Sequence, residues 1–510
     1  MRHILHNFLF LAVLKFITGK NGEFVTSLMD DCSLEETSVI CEHSLPQVLP
    51  DNVSSVIVKD FLHVRIKNET FTHKSWMTIY FLDITVNLHV KFYLYDYNFS
   101  SLKNLKTLGI HSPELTNSDQ NHILYGLMKL MSLNLSSCYY LNAAAILNML
   151  ETHEESVDTL ILDQLAASKD RYLVLDGAFF KLVSKLKIRK LSLSGCNLLF
   201  SGSFQITNLS FYLNDFDISN TTLIDISNTS LSTILLKTVL SHLKSLDLSL
   251  IKSRFFDIDY GALDKKRLIP ICDGSIDNYI GSLFLKVEHL KLNGILSRSV
   301  RINNSFFNLS TCISNLKSLQ LRSNKLHFLN STIVWPDTVQ LYELDLSSND
   351  LEYLSPFAFG TILSLEVFLL AHNKLYRMSS YMEFQNLLFP FKHLWHLDMS
   401  HNQLNKLPFD FFSHNINLTI LDLSHNELSS INFKIRHLIN LRFLNMEHNK
   451  ILFIEGSDVS NLALLIETMP KPVEISFAHN PLLCICKSKE FITWLSSYIQ
   501  VNKKYNYVCT

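Results

Sequence analysis

The chain has 510 residues, 47% of them hydrophobic and 18% charged, which is apolar material enough for a folded core; its formal net charge of −2 offers no basic stripe for nucleic acid. Thirteen glycines are too few for phosphate-cradling loops as a recurring theme. After the first residues no apolar run reaches the roughly 18 residues that suggest a membrane span.

The start reads as a secretory signal over residues 1–22. Arg2 supplies the charged end, Phe8 to Phe16 an apolar stretch interrupted by Lys15, and Gly19 or Gly22 stands near a cleavage point. Residues 23–54 follow as an N-terminal cap in which Cys32 and Cys41 are expected to form a disulfide. Glycosylation sequons occur at Asn52, Asn68, Asn98, Asn208, Asn220, Asn228, Asn303, Asn308, Asn330 and Asn417. An eleventh, at Asn134, falls inside a predicted strand and is not counted on for a glycan. Signal and sequons together predict an extracellular chain, secreted or displayed at the cell surface.

Residues 55–482 carry an internal repeat. In its last third the pattern Leu-x-Leu-x-x-Asn recurs every 23 to 31 residues, with asparagines at 324, 349, 373, 402, 426, 449 and 480; Leu421, Leu423 and Asn426 form one copy. A fixed period with this spacing marks an α/β leucine-rich repeat solenoid, a horseshoe with parallel strands on the concave face and disulfide-containing caps at both ends. The asparagines Asn324, Asn349, Asn373, Asn402, Asn426, Asn449 and Asn480 are expected to form a ladder that satisfies turn backbone otherwise buried without partners. Earlier copies keep the leucines and lose the asparagine. Cys138 and Cys196 take its place as buried, unpaired thiols, and Leu165, Thr221, Ile251 and Ile295 take it in other turns. The first three placements are Phe61, Ile84 and Pro113, which makes about 16 repeats, irregular over 55–300 and regular over 301–482.

The longest interval runs 44 residues, from Ile251 to Ile295. It is rich in apolar residues, among them Phe255, Phe256, Ile258, Tyr260, Leu268, Ile271, Tyr279 and Phe284. They serve either an extra, poorly patterned repeat or a ligand-binding pocket. Cys272 and Cys312, 40 residues apart and off the strand positions, are expected to form a disulfide that pins this segment to its neighbour.

Residues 483–510 read as a C-terminal cap. Phe491, Trp494, Leu495 and Tyr498 fall at i, i+3, i+4 and i+7, one face of a helix laid over the end of the core. Asn480, Pro481, Cys484, Cys486, Phe491, Trp494, Tyr507 and Cys509 together resemble the cysteine-rich C-terminal flank of Toll-like receptor ectodomains. That flank has four cysteines bonded first to third and second to fourth. The resemblance therefore implies a Cys484–Cys509 disulfide and a Cys486 unpaired within these residues, a flank cut short at Thr510. It further implies that the rest of the cap, a membrane helix and a cytoplasmic signalling domain come next in a full receptor. A secreted form is the other expectation.

Catalysis is not expected. No Gly-x-Ser-x-Gly, His-Glu-x-x-His or phosphate-loop pattern occurs, and the Cys484-x-Cys486 spacing fits disulfide chemistry better than zinc, so neither cofactor nor metal is predicted. His372, His401, His425, His448 and His479 each precede a ladder asparagine and should align along one edge, either as a common solvent-facing residue of the repeat or as an acid-sensing row. The residues between paired leucines, Gln320, Asp345, Leu369, Asp398, Asp422, Asn445 and Ser476, are expected to face outward on a mildly acidic strand face. The function that follows from the resemblance is innate immune sensing of a microbial ligand, with ligand contact expected over 255–324 and homo- or heterodimers as its working form. The alternative is a secreted adhesion or decoy protein that binds a protein partner on its concave face.

Overall fold

The computed structural model describes residues 31–497 apart from 68, 117–121, 142, 166–171, 201–211, 225–241, 252–285, 296–299, 303–314, 330–338, 360–361, 381, 469–472 and 484. It divides into two compact units, residues 1–141 with 148–155, and residues 142–147 with 156–510.

The first unit opens with an antiparallel hairpin, Cys32–Glu35 against Ser38–Glu42, in which Cys32 faces Cys41 and the two are disulfide-bonded. The inner strand of the hairpin runs parallel to Ser55–Phe61 and so covers one edge of the sheet that follows. Strands Phe81–Val86, Thr107–His111 and Ser132–Asn134 continue that sheet in parallel register. Leu82, Leu108 and Leu133 align, and all three are fully buried. The register corrects one placement. Ile84 lies within its strand, opposite Val58 and Ile110, so the turn position of that repeat is Asn87, three residues on. Phe61 and Pro113 do fall at turn positions, by the same count from Val58 and Ile110.

In the second unit the main sheet has twelve described strands in parallel, from Thr159–Ile161 through Lys190–Ser192, Asp215–Asp217, Ser245–Asp247 and His289–Lys291 to Ser318–Gln320. They continue through Glu343–Asp345, Val367–Leu369, His396–Asp398, Ile420–Asp422 and Phe443–Asn445 to Glu474–Ser476. Each is three residues long and centred on the first apolar position of the Leu-x-Leu pattern, with its two neighbours turned to the other face of the sheet. The central residues Leu344, Phe368, Leu397, Leu421 and Leu444 stand directly opposite one another and are all 0% exposed. Burying each such side chain contributes about 1.5–3 kcal/mol. Beyond the strand the backbone bonds continue: the amide of His372 donates to the Ser400 carbonyl, His401 to Ser424 and His425 to Glu447.

The turn after each strand rests on two devices. The residue before the ladder position is left-handed in turn after turn, with φ between 52° and 62° at Ser137, Gln164, Asn220, Leu250, Ser323, Ser348, His372, His401, His425, His448 and His479, and glycine at Gly195 and Gly294. Left-handed backbone is costly for most L-residues; histidine and asparagine are among those that adopt it more often. The ladder side chain then holds the turn. The Asn402 Nδ2 donates to the carbonyls of Leu370, Met399 and Ser400 at 2.9–3.0 Å, while its own amide donates to the Asn426 Oδ1 at 3.0 Å. Cys138 and Cys196 perform half of this work. Their thiols donate to the Ile110 and Leu162 carbonyls of the preceding turn, at 3.3 and 3.2 Å, but they carry no carbonyl oxygen to receive an amide.

The 31-residue interval between Asn449 and Asn480 accommodates a helix, Gly456–Thr468, in place of an extended return segment. The C-terminal cap helix spans Lys489–Ser497, with Phe491 and Trp494 buried and the Phe491 ring against Phe477 at 5.6 Å. Cys484, Tyr498 and Cys509 lie outside the described residues.

Candidate binding face

The side chains that flank the buried column stand on the open face of the sheet. On one flank Val367, His396, Ile420 and Phe443 lie in register and are half-buried, with Trp395 beside them at 36% exposure and its ring 5.5 Å from that of His396. On the other flank run Asp345, Leu369, Asp398, Asp422, Asn445 and Ser476. This second column is only in part the outward acidic surface that the sequence suggests: Leu369, Asp398, Asp422 and Asn445 are half-buried, and its two ends are closed. Asp345 is 3% and Ser476 1% exposed. The carboxylates of Asp345, Asp398 and Asp422 each accept the amide two residues on, from Ser347, Ser400 and Ser424, at 2.8–2.9 Å. The aspartates therefore cap the first turn amide after the strand, which is a local reason for aspartate there. Burial raises the Asp345 carboxyl above its ordinary value, against the Ser347 bonds and Arg322, whose Nε lies 3.6 Å away. Further along, Asn445 donates to Asp422 at 3.0 Å and Ser476 to Glu447 at 2.5 Å.

Beyond these columns the five histidines form a stack. Their ring centroids lie 3.9, 4.0, 4.1 and 4.2 Å apart from His372 through His401, His425 and His448 to His479, with interplanar angles of 11–14°. Equal left-handed backbone in successive turns aims each ring the same way. Burial, then the charges of His372 and His425, lowers the His401 pKa below 6.5 against Asp398 and Asp422. Burial, then His425 and His479, lowers that of His448 against Glu447. A histidine whose folded value lies below its unfolded one stabilises the fold fully above the unfolded value; that contribution is lost as pH falls through 6.5 toward the folded value. The urea midpoint of the regular turns is therefore expected to fall between about pH 7.5 and about pH 5.5, and the fall to shrink in a His401→Gln, His448→Gln double variant. His111, whose pKa is raised chiefly by its hydrogen bond to Asp83, works in the opposite direction but equally in both proteins. An identical acid loss in wild type and variant would remove the stack as its cause.

The other sequence-derived positions divide as follows. Phe255, Phe256, Ile258, Tyr260, Leu268, Ile271, Tyr279 and Phe284 lie outside the described residues, as do Cys272 and Cys312 and the sequons at 68, 208, 228, 303, 308 and 330. Asn52 and Asn220 are exposed. Asn98 corrects an expectation: it is 6% exposed, its Oδ1 accepts the Tyr95 amide at 2.8 Å, and its Nδ2 lies 3.5 Å from the Ile66 carbonyl, which leaves a glycan no room in the folded chain. Asn417 is half-buried, with its Nδ2 on the Lys392 carbonyl at 2.8 Å. Cys138 and Cys196 are buried thiols, and burial pushes both pKa values up to about 12. Cys486 is an exposed thiol. Alkylation of the native protein at neutral pH, mapped by peptide mass, is expected to label Cys486 and spare Cys138 and Cys196; label on either buried residue before unfolding contradicts this assignment.

The leucine rich repeat family model matches residues 392–451, the stretch that holds Asn402, Asn426 and Asn449. The fold is that of a leucine-rich repeat solenoid. Among solved structures, this solenoid is similar to TLR13 in the TLR13–ssRNA13 complex, at a TM-score of 0.52 and 19% identity over 89% of this chain and 68% of that one. A Leptospira interrogans leucine-rich repeat protein gives a TM-score of 0.46 at 19% identity, over 88% of this chain and 97% of that one. The mouse RP105/MD-1 complex gives 0.38 at 15%, over 94% and 97%. No curated protein matches the chain. No helix among the described residues is long and apolar enough to cross a membrane. Two features of the repeat face escaped the sequence reading: the capping role of its aspartates, and the apolar flank from Val367 to Phe443. An Asp followed two residues later by Ser was the available signal for the first.

Proposed function

We propose that this solenoid is the extracellular recognition part of a receptor resembling the Toll-like receptors, which senses a microbial ligand on its strand face and pairs with a second copy or a relative when bound. Signalling in this reading belongs to a domain outside these 510 residues. One observation carries the reading. The flank of Trp395, His396, Ile420 and Phe443 offers half-buried apolar surface on strands whose neighbours are locked by the asparagine ladder. Rigid, partly apolar surface in a repeat array is what a binding partner exploits. The apolar segment around Phe255, Tyr260 and Phe284 is proposed as a second ligand contact.

The test is a fusion of the chain to a membrane helix and a Toll-type signalling domain in a reporter cell, challenged with bacterial lipopeptide, lipopolysaccharide, flagellin and RNA. At least one is expected to trigger the reporter, with the response lost in Trp395→Ala, Phe443→Asp. Silence towards the whole panel, with the same chain retained on host cells through a surface protein, would overturn the sensing role in favour of a secreted adhesion or decoy protein.

A further inference from the structure

The return segments of two neighbouring turns, residues 355–365 and 384–394, carry large apolar side chains that the core does not use. Phe359, Ile362, Leu387, Leu388 and Phe391 point inward and are at most 2% exposed. Phe357, Leu363 and Phe389 point outward and are 64%, 62% and 52% exposed. The three do not lie scattered. With Pro356 and Pro390 they line one crevice of about 590 Å³, completed by Asn386, Lys392 and His393. Exposed apolar side chains are ordinary singly; gathered around a concavity of this volume they describe a ligand site.

The walls are held in place. The buried Asn415 Nδ2 donates to the carbonyls of Leu388 and Phe391 at 3.1 and 2.8 Å, on either side of Phe389 and Pro390. The His414 ring packs against Phe389 at 4.4 Å between centroids. The charge is one-sided. Lys392 and His393 are exposed at the rim, no carboxylate lines the crevice, and neither cation has an acidic partner among the described residues. Pro356 and Pro390 carry no amide hydrogen to pair with an added peptide strand.

We propose that this crevice binds a small amphipathic anion. Its apolar body lies against Phe357, Leu363 and Phe389, and its carboxylate, sulfonate or phosphate meets Lys392 and His393. The lysine ammonium and the histidine ring N–H are the donors that such an anion would meet at the rim. The site lies on the return segments, apart from the strand face, and stands whether or not the strand face recognises a microbial ligand.

The test uses the full chain with anilinonaphthalene sulfonate as probe and decanoate and decanol as competitors. One saturable probe site is expected, displaced by decanoate far better than by decanol. Lys392→Glu should weaken the probe by about tenfold or more, equivalent to roughly 1.4 kcal/mol. Phe389→Ser should abolish saturation. Both substitutions fall on exposed side chains, and unchanged circular dichroism and urea midpoint confirm an intact fold. Equal binding by wild type and both variants places the probe elsewhere and overturns the proposal. So does loss with Phe389→Ser but not with Lys392→Glu, which leaves an apolar groove without anion recognition. A doubled mass in solution that excludes the probe, and is reversed by Phe389→Ser, overturns it in favour of a contact between two copies.

Discussion

Asn426→Ala is expected to destabilise the regular turns by about 3–5 kcal/mol, more than any substitution on the open face. The side chain is 5% exposed and works in both directions. Its Oδ1 accepts the amides of Asn402 and Leu404, each at 3.0 Å, and its Nδ2 donates to the carbonyls of Met399, Leu423 and Ser424 at 3.0–3.2 Å. Alanine strands the amides of Asn402 and Leu404 and takes one of two donors from each of the Met399, Leu423 and Ser424 carbonyls, which keep Asn402 Nδ2, Asn449 Nδ2 and the His401 amide; each unsatisfied group costs about 1–3 kcal/mol before relaxation. Asn426→Asp is no rescue, because it keeps the acceptor but loses the donor and buries a charge. Asn426→Cys should fall between wild type and alanine, since the thiols of Cys138 and Cys196 already serve as donors at equivalent positions. Urea unfolding followed through Trp395, one turn away, reads the effect locally. A loss below about 1 kcal/mol would mean that the ladder is ornamental to stability.

The second large effect is expected at Phe368. It fills the central strand position that leucine holds in the neighbouring turns, is 0% exposed, and touches Phe359 and Phe391 with ring centroids 6.4 and 5.5 Å apart. Phe368→Ala removes a ring from a close-packed column and should cost about 3–5 kcal/mol, whereas Phe368→Leu, which restores the residue of the flanking turns, should cost about 1 kcal/mol. The damage should stay local, because each turn contacts only its neighbours. Hydrogen exchange is expected to speed up in the strands Glu343–Asp345 and His396–Asp398 and to leave Phe443–Asn445 unchanged. Equal costs for alanine and leucine would show that the site collapses around the lost ring.

The turns that were legible in the sequence are those in which one residue type does one job. Asparagine at 324 through 480 announces its place, because its amide reaches a carbonyl oxygen and a two-hydrogen NH2 group to backbone on both sides of the turn, which a hydroxyl or a thiol cannot do. Cys138, Cys196, Leu165, Thr221, Ile251 and Ile295 were legible by count from the paired leucines. The count failed at Ile84, where Ile, Val and Leu alternate through a six-residue strand and several registers fit the apolar pattern equally well. The role of Asp345 was hidden for a different reason: an aspartate that caps a turn amide and one that faces a partner are the same letter at the same spacing. The crevice of Phe357 and Phe389 was hidden because return segments have no fixed period, so nothing in the residue order separates their outward side chains from their inward ones. The helix Gly456–Thr468 was signalled only by the length of its interval.

The row of imidazoles from His372 to His479 also has a magnetic consequence. A proton held above or below an aromatic ring is shielded by the current induced in that ring. His401, His425 and His448 each lie between two parallel rings about 4 Å away, and His372 and His479 against one. The carbon-bound ring protons of the inner three should therefore resonate upfield of those at the ends. Parting the turns between His425 and His448 would give both of them the chemical shifts of terminal residues, so the proton spectrum records which turns of the solenoid are closed.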